Sequence, residues 1–128
     1  MQMSKLIILS LLMTTIGISG CITIDEITPL LSSQTPFVVK TGEVVTFTAQ
    51  AGGSTVSGAT VKVSYVNPSV TVNMNDVYIA TMTTIGTTNN VGELSYTIPS
   101  GYAGKKLVYY IEKTLSLSAP GIGTAMVT

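Results

Sequence analysis

Chemistry in this chain has few residues to rest on. Among 128 residues there is one cysteine, Cys21, six acidic side chains, six lysines, no arginine and no histidine. Without histidine there is no side chain whose ordinary pKa suits a general base near neutrality, no Ser-His-Asp arrangement and no imidazole for zinc. A Ser-x-x-Lys dyad is also missing. The residues three positions before the lysines are Gln2, Phe37, Ala59, Tyr102, Ala103 and Tyr110. Glycoside hydrolysis needs two carboxyl groups about 5–10 Å apart across a cleft. Glu43, Asp76, Glu93 and Glu112 stand on separate turns and strands of the predicted order. Gly52-Gly53 lacks the Lys-Ser/Thr that completes a phosphate-binding loop. The expectation is a protein that is not an enzyme and holds neither cofactor nor metal.

Cys21 stands out by its place. It follows the apolar stretch Leu6 to Ile16, with Lys5 before that stretch and Ser19-Gly20 directly ahead of the thiol. A positive start, an apolar middle and small residues before a cut are the order of a secretory signal peptide. The tetrapeptide Ile18-Ser19-Gly20-Cys21 resembles a lipoprotein lipobox, which reads aliphatic, small, small, Cys. That resemblance implies cleavage between Gly20 and Cys21, and lipid on the Cys21 sulfur. An ordinary signal cut or an uncleaved anchor helix are the alternatives. One cysteine allows no intrachain disulfide.

Charge limits the partners. Lys5 would leave with residues 1–20, so five lysines would face six acids. Nucleic-acid binding needs clustered cations, with arginine as the preferred base reader, and a polybasic membrane patch needs a similar cluster. Neither nucleic acid nor an electrostatic lipid surface is expected. The expected partners are membrane lipid through Cys21 and a protein or carbohydrate at the surface, or further copies of the chain.

The elements that position these groups read as β-structure. Residues 22–36, with Pro29, Pro36 and a Ser/Gln/Thr stretch, read as a tether reaching on the order of 50 Å. Period-two alternation then begins. Val45, Phe47 and Ala49 share a face, as do Ala59, Val61, Val63 and Tyr65. Asn67-Pro68-Ser69 predicts a turn, and Val70, Val72 and Met74 a short strand. Val77 to Ile85 is rich in strand formers, with Gly86 to Asn90 as the turn after it. Leu94, Tyr96 and Ile98 alternate up to Pro99-Ser100-Gly101. Lys106 to Lys113 is apolar on both faces, and a last strand runs through Ala125 to Val127. About seven short strands without a helix after the leader predict an antiparallel β-sandwich, since one sheet with a wet face cannot cover so many valines and tyrosines.

Two stretches resemble a family. Gly58-Ala59-Thr60-Val61-Lys62-Val63 opens a strand, and Thr87 to Pro99 runs through Asn89-Asn90-Val91-Gly92 into Leu94-Ser95-Tyr96, followed by Gly101, Gly104 and Lys105-Lys106. These resemble bacterial immunoglobulin-like modules of invasin and intimin type, and are similar to the carboxypeptidase-regulatory, transthyretin-like sandwiches. The resemblance covers roughly Thr41 to Lys113. It implies a single immunoglobulin-like sandwich over 37–128, behind a signal or anchor helix over 1–20 and a lipidated tether over 21–36. The implied role is that of a spacer or adhesion module, membrane-anchored at the cell envelope. The alternative is a self-assembling filament or viral coat subunit. It would be joined by β-strand addition through Ile22-Thr23-Ile24 or the tail Ala119 to Thr128.

Two smaller groups complete the candidates. Asp25-Glu26 with Asn75-Asp76 could gather oxygens for calcium, with solvated loop charges as the plainer reading. Tyr109-Tyr110 could form an exposed aromatic pair, with one ring in the core and one half-covered as the plainer reading.

Overall fold

The computed structural model describes residues 25–32, 37–73, 81–114 and 116–128. Those residues form an all-β architecture of two sheets. The strands are β1 (Thr28–Leu31), β2 (Val38–Val39), β3 (Val44–Ala51), β4 (Ser54–Thr55), β5 (Thr60–Val66), β6 (Thr83–Thr87), β7 (Glu93–Thr97), β8 (Lys106–Glu112) and β9 (Gly121–Val127). The smaller sheet centres on β3, with β1 on one edge and β7 and the short β4 on the other. The larger sheet runs β2-β9-β8-β5-β6. All its pairs are antiparallel except β2 with β9.

The core lies where alternation puts it. Val45, Phe47 and Ala49 of β3 face Val61 and Val63 of β5, Leu107, Tyr109 and Ile111 of β8, and Ala125 and Val127 of β9. Phe47 is the centre of this packing. Its ring centroid lies 5.2 Å from that of Tyr109 in the opposite sheet and 5.9 Å from that of Tyr96 beside it. Tilted ring pairs at such distances add to the roughly 1.5–3 kcal/mol that burying each large apolar side chain contributes.

β8 is covered on both faces, as its double apolar pattern implies. Val108 and Tyr110 are buried on the outer side. Tyr110 stands between Lys62 and Ile122 on the neighbouring strands. Lys62 reaches over to Glu112 at 3.2 Å. The exposed-pair reading of Tyr109-Tyr110 is therefore overturned, because Tyr109 lies in the core between the sheets and Tyr110 is buried on the outer face of β8.

Three further expectations change. Residues 25–31 are not free tether. Glu26 bridges Ala119, Ile27 is only 1% exposed, and β1 pairs along β3. Pro29 is tolerated because it sits on the sheet edge. The bond from Ser32 N–H to the Thr46 carbonyl (3.1 Å) sets the phase, and the missing N–H of Pro29 falls on the side away from β3, where its ring lies beside Gly121.

Val70 and Val72 are not in a strand. Val70 N–H turns back to the Asn67 carbonyl (3.0 Å), and the Val70 carbonyl accepts from Lys106 Nζ (2.6 Å). β6 starts later and runs further than predicted, with a bulge opposite Val61/Lys62 that shifts its register. Met74 and Val77 to Ala80 lie outside the described residues.

The turns have identifiable causes. Gly52-Gly53 closes the β3–β4 hairpin with φ of +58° and +82°, the two positive values that a two-residue turn of this hand requires. Thr88 is buried, and its hydroxyl donates to the Val56 carbonyl (2.6 Å) while accepting from Ala59 N–H (2.9 Å).

Candidate functional site

The predicted attachment site, Gly20-Cys21, lies outside the described residues, as does Asn75-Asp76. The rest of the calcium candidate is engaged in the fold. The Asp25 carbonyl accepts from Ala119 N–H (2.9 Å), and its carboxylate rests over Gly52, where a Cβ would collide with it. Among the described residues no three acidic, cysteine or histidine groups converge on a metal position. Glu43 accepts from Lys40 N–H (2.8 Å), Glu112 pairs with Lys62, and Glu93 stands on β7. No helix of the described residues is long and apolar enough to cross a membrane.

What the fold does assemble is a tyrosine cleft. On the side of the sandwich where β6 and β7 are the outermost strands among the described residues, no ladder among those residues joins them. The opening between them has a volume of about 360 Å³. Its walls come from the end of β5 (Val63 to Tyr65), from Thr83 and Ile85 of β6, from Tyr96 of β7, and from Pro99 and Tyr102 in the turn that follows. None of the described residues that line it is charged.

The three tyrosines are organised. The rings of Tyr65 and Tyr102 stack at 4.0 Å between centroids and 8° between planes. The hydroxyls of Tyr65 and Tyr96 are 2.6 Å apart. Burial, then the hydrogen bond to Tyr96, pushes the Tyr65 phenol well above its ordinary value, so it keeps its proton. One hydroxyl of the pair donates to the other, which leaves one O–H and several lone pairs for a ligand. Tyr102 lies at the mouth with 38% of its surface exposed. Its place between Gly101 and Gly104, both at positive φ, lets the turn bring the ring flat onto Tyr65.

A second, smaller opening of about 210 Å³ lies on the opposite side, between β1 and β9. Pro29, Leu30, Leu31 and Phe37 line it, with Tyr109 and Ala125 at its base. Phe37 is 77% exposed and holds a φ of +63°, unusual for a bulky residue.

Neither opening is marked by a motif in the sequence. The residues of the tyrosine cleft are drawn from separate segments, with Tyr65 and Tyr96 standing 31 positions apart. One local signal does point to it: Tyr102 is an aromatic residue isolated in a Gly-rich turn, where no core face needs it. Comparison with family models, with curated proteins and with solved structures yields no match to this chain.

Proposed function

We propose that this chain is an exported, lipid-anchored envelope protein whose single immunoglobulin-like module is a non-enzymatic binding or adhesion unit. The observation that carries this reading is the polarity of the chain. Asp25 to Ile27, four to six positions after Cys21, pack beside the Gly52-Gly53 turn and Ala119 at one end of the sandwich. Tyr65 and Tyr102 stand at the other end, with the Pro99–Lys105 turn and the C-terminal Thr128. Only Ile22 to Ile24 separate the thiol from Asp25. Such a link spans on the order of 10–14 Å, so a lipid on Cys21 would hold the module close to the bilayer with its cleft turned outward.

The strand connectivity supports the immunoglobulin-like reading. The first edge of the chain is split, β1 joining the β3–β7 sheet and β2 running parallel to the last strand β9. β5, β8 and β9 then pair in the order expected of strands C, F and G. A strand D beside β7 is not present among the described residues. Metabolic labelling with a fatty acid tests the anchor. Label on the wild type and none on Cys21→Ser is expected, and equal label on both would remove the lipoprotein reading.

A second reading, self-assembly by strand addition, draws on the edge of β7. The bonds from Ile98 N–H to the Glu43 carbonyl and from Ala49 N–H to the Gly92 carbonyl fix its phase. The backbone groups of Ser95 and Thr97 therefore point away from β3, onto an edge that could accept a strand. The tail Ala119 to Thr128 is not a free donor, because β9 is already paired on both sides. Size-exclusion chromatography over a concentration series separates the two readings. A monomer throughout supports the first, and growth into large species supports the second.

A further inference from the structure

We propose that the tyrosine cleft binds a neutral glycan, with one pyranose ring stacked on Tyr102. This deepens the binding-unit reading above and rests on it.

The chemistry of the walls selects the ligand class. A neutral sugar is amphipathic on a small scale. Its axial C–H bonds form a flat apolar face, and its rim carries hydroxyls that both donate and accept. The cleft offers the complement of each part. One face of the Tyr102 ring is closed by its parallel stack on Tyr65, which fixes the ring plane before any ligand arrives. The rest of that ring is at the mouth of the cleft, where a sugar face can lie on it. Holding an aromatic ring in place beforehand removes the ordering penalty of binding. The Tyr65–Tyr96 hydroxyl pair at 2.6 Å then presents one donor and free lone pairs. The Tyr96 ring is itself held against Phe47 in the core, so these hydroxyls do not move with the surface.

Charge narrows the class further. With no lysine, aspartate or glutamate among the described lining residues, none of them would balance a sulfate, phosphate or uronate in the cleft. A proline-rich peptide could also stack on tyrosine. Its prolines bring only carbonyl acceptors, however, whereas the hydroxyl pair and Thr83 at the rim offer both donors and acceptors. The volume of about 360 Å³ is at the small end of ligand sites, suited to one or two sugar rings rather than a long peptide. The cleft also lies at the end of the module away from Asp25, where a partner glycan would meet it first.

The test is saturation-transfer NMR and calorimetry on the full chain in a zwitterionic, sugar-free detergent. The probes are cellotetraose, N-acetylchitotetraose and mannotetraose, with a heparin tetrasaccharide and decaproline as contrasts. At least one neutral tetrasaccharide is expected to bind saturably below about 10 mM. Tyr102→Phe keeps the ring and should bind within about twofold of wild type. Tyr102→Leu keeps apolar contact with Tyr65 but loses the flat face, and should weaken binding about tenfold or more. Tyr96→Phe removes one hydroxyl and should weaken it about three- to tenfold.

Three outcomes would overturn the proposal: no neutral probe binding, binding unchanged in Tyr102→Leu, or binding confined to heparin or decaproline. Thermal melting of each variant separates lost binding from lost folding. Absent glycan binding with intact fatty-acid labelling of Cys21 leaves the anchored-module reading standing, whereas loss of labelling removes that reading without touching the cleft.

Discussion

Single side chains carry unequal weight in this fold, and the glycine at position 123 is a clear case. It faces Tyr109 across β8 and β9, and a Cβ there would overlap the Tyr109 ring. Gly123→Ala must displace that ring, which packs on Phe47, and overpacking of this kind costs about 1–3 kcal/mol, to be read by urea denaturation. Thr88 is equally exacting for a different reason. Thr88→Val leaves Ala59 N–H and the Val56 carbonyl without their partner, a loss of about 1–3 kcal/mol, while Thr88→Ser keeps both bonds and should lose less.

The buried tyrosines set the alkaline limit. Burial raises Tyr109, and burial with the neighbouring Glu112 carboxylate raises Tyr110, above the ordinary value of 10.0 that the unfolded chain would show. Tyr65 shifts in the same direction. A folded value above the unfolded one gives stability that is complete below pH 10 and lost as pH climbs past it, because the unfolded chain sheds those protons first. The melting temperature should therefore fall steeply as pH rises above about 10. A melting temperature unchanged between about pH 9 and about pH 12 would contradict this.

At the scale of elements, β1 is where the boundary of the module is decided. Ile27 packs among core residues, and its carbonyl lies so close to Gly121 that no side chain fits there. If residues 25–31 belong to the fold, Ile27→Ala should cost about 2–5 kcal/mol in chemical denaturation. A change near zero would return the stretch to the role of tether.

The strands most plainly legible in the sequence are those with one dry and one wet face, while β8, covered on both sides, shows only as an apolar run. β3, β5 and β7 show this as Val45-Phe47-Ala49, Ala59-Val61-Val63 and Leu94-Tyr96, because burial on one side imposes period two. β1 escapes because Pro29 and a brief run of four residues give no periodic signal, and the fully buried side chain next to it, Ile27, stands alone in the sequence. β6 is misplaced because its bulge breaks the alternation at Ile85-Gly86. The cleft is illegible for a deeper reason. Its tyrosines meet only through the pairing of β3 with β7 and β5 with β8, which no local pattern encodes.

Across the whole molecule, the proposed anchored module would give the two ends of the sandwich different jobs. One end carries the approach to Cys21 and the strongly exposed Leu117, 82% accessible and close to the Ala119 bridge. The other carries the cleft. With one cysteine and no disulfide, nothing covalent within the chain supports the sandwich, so the apolar core and its hydrogen-bonded turns must hold it. A lipid on Cys21, joined through Ile22 to Ile24, would then fix how the module stands on its membrane. The most direct measurement is the intact mass of the protein extracted from its native membrane. A chain beginning at Cys21 and heavier by a diacylglyceryl group is the predicted result, and an unmodified Cys21 still joined to Gly20 would contradict it.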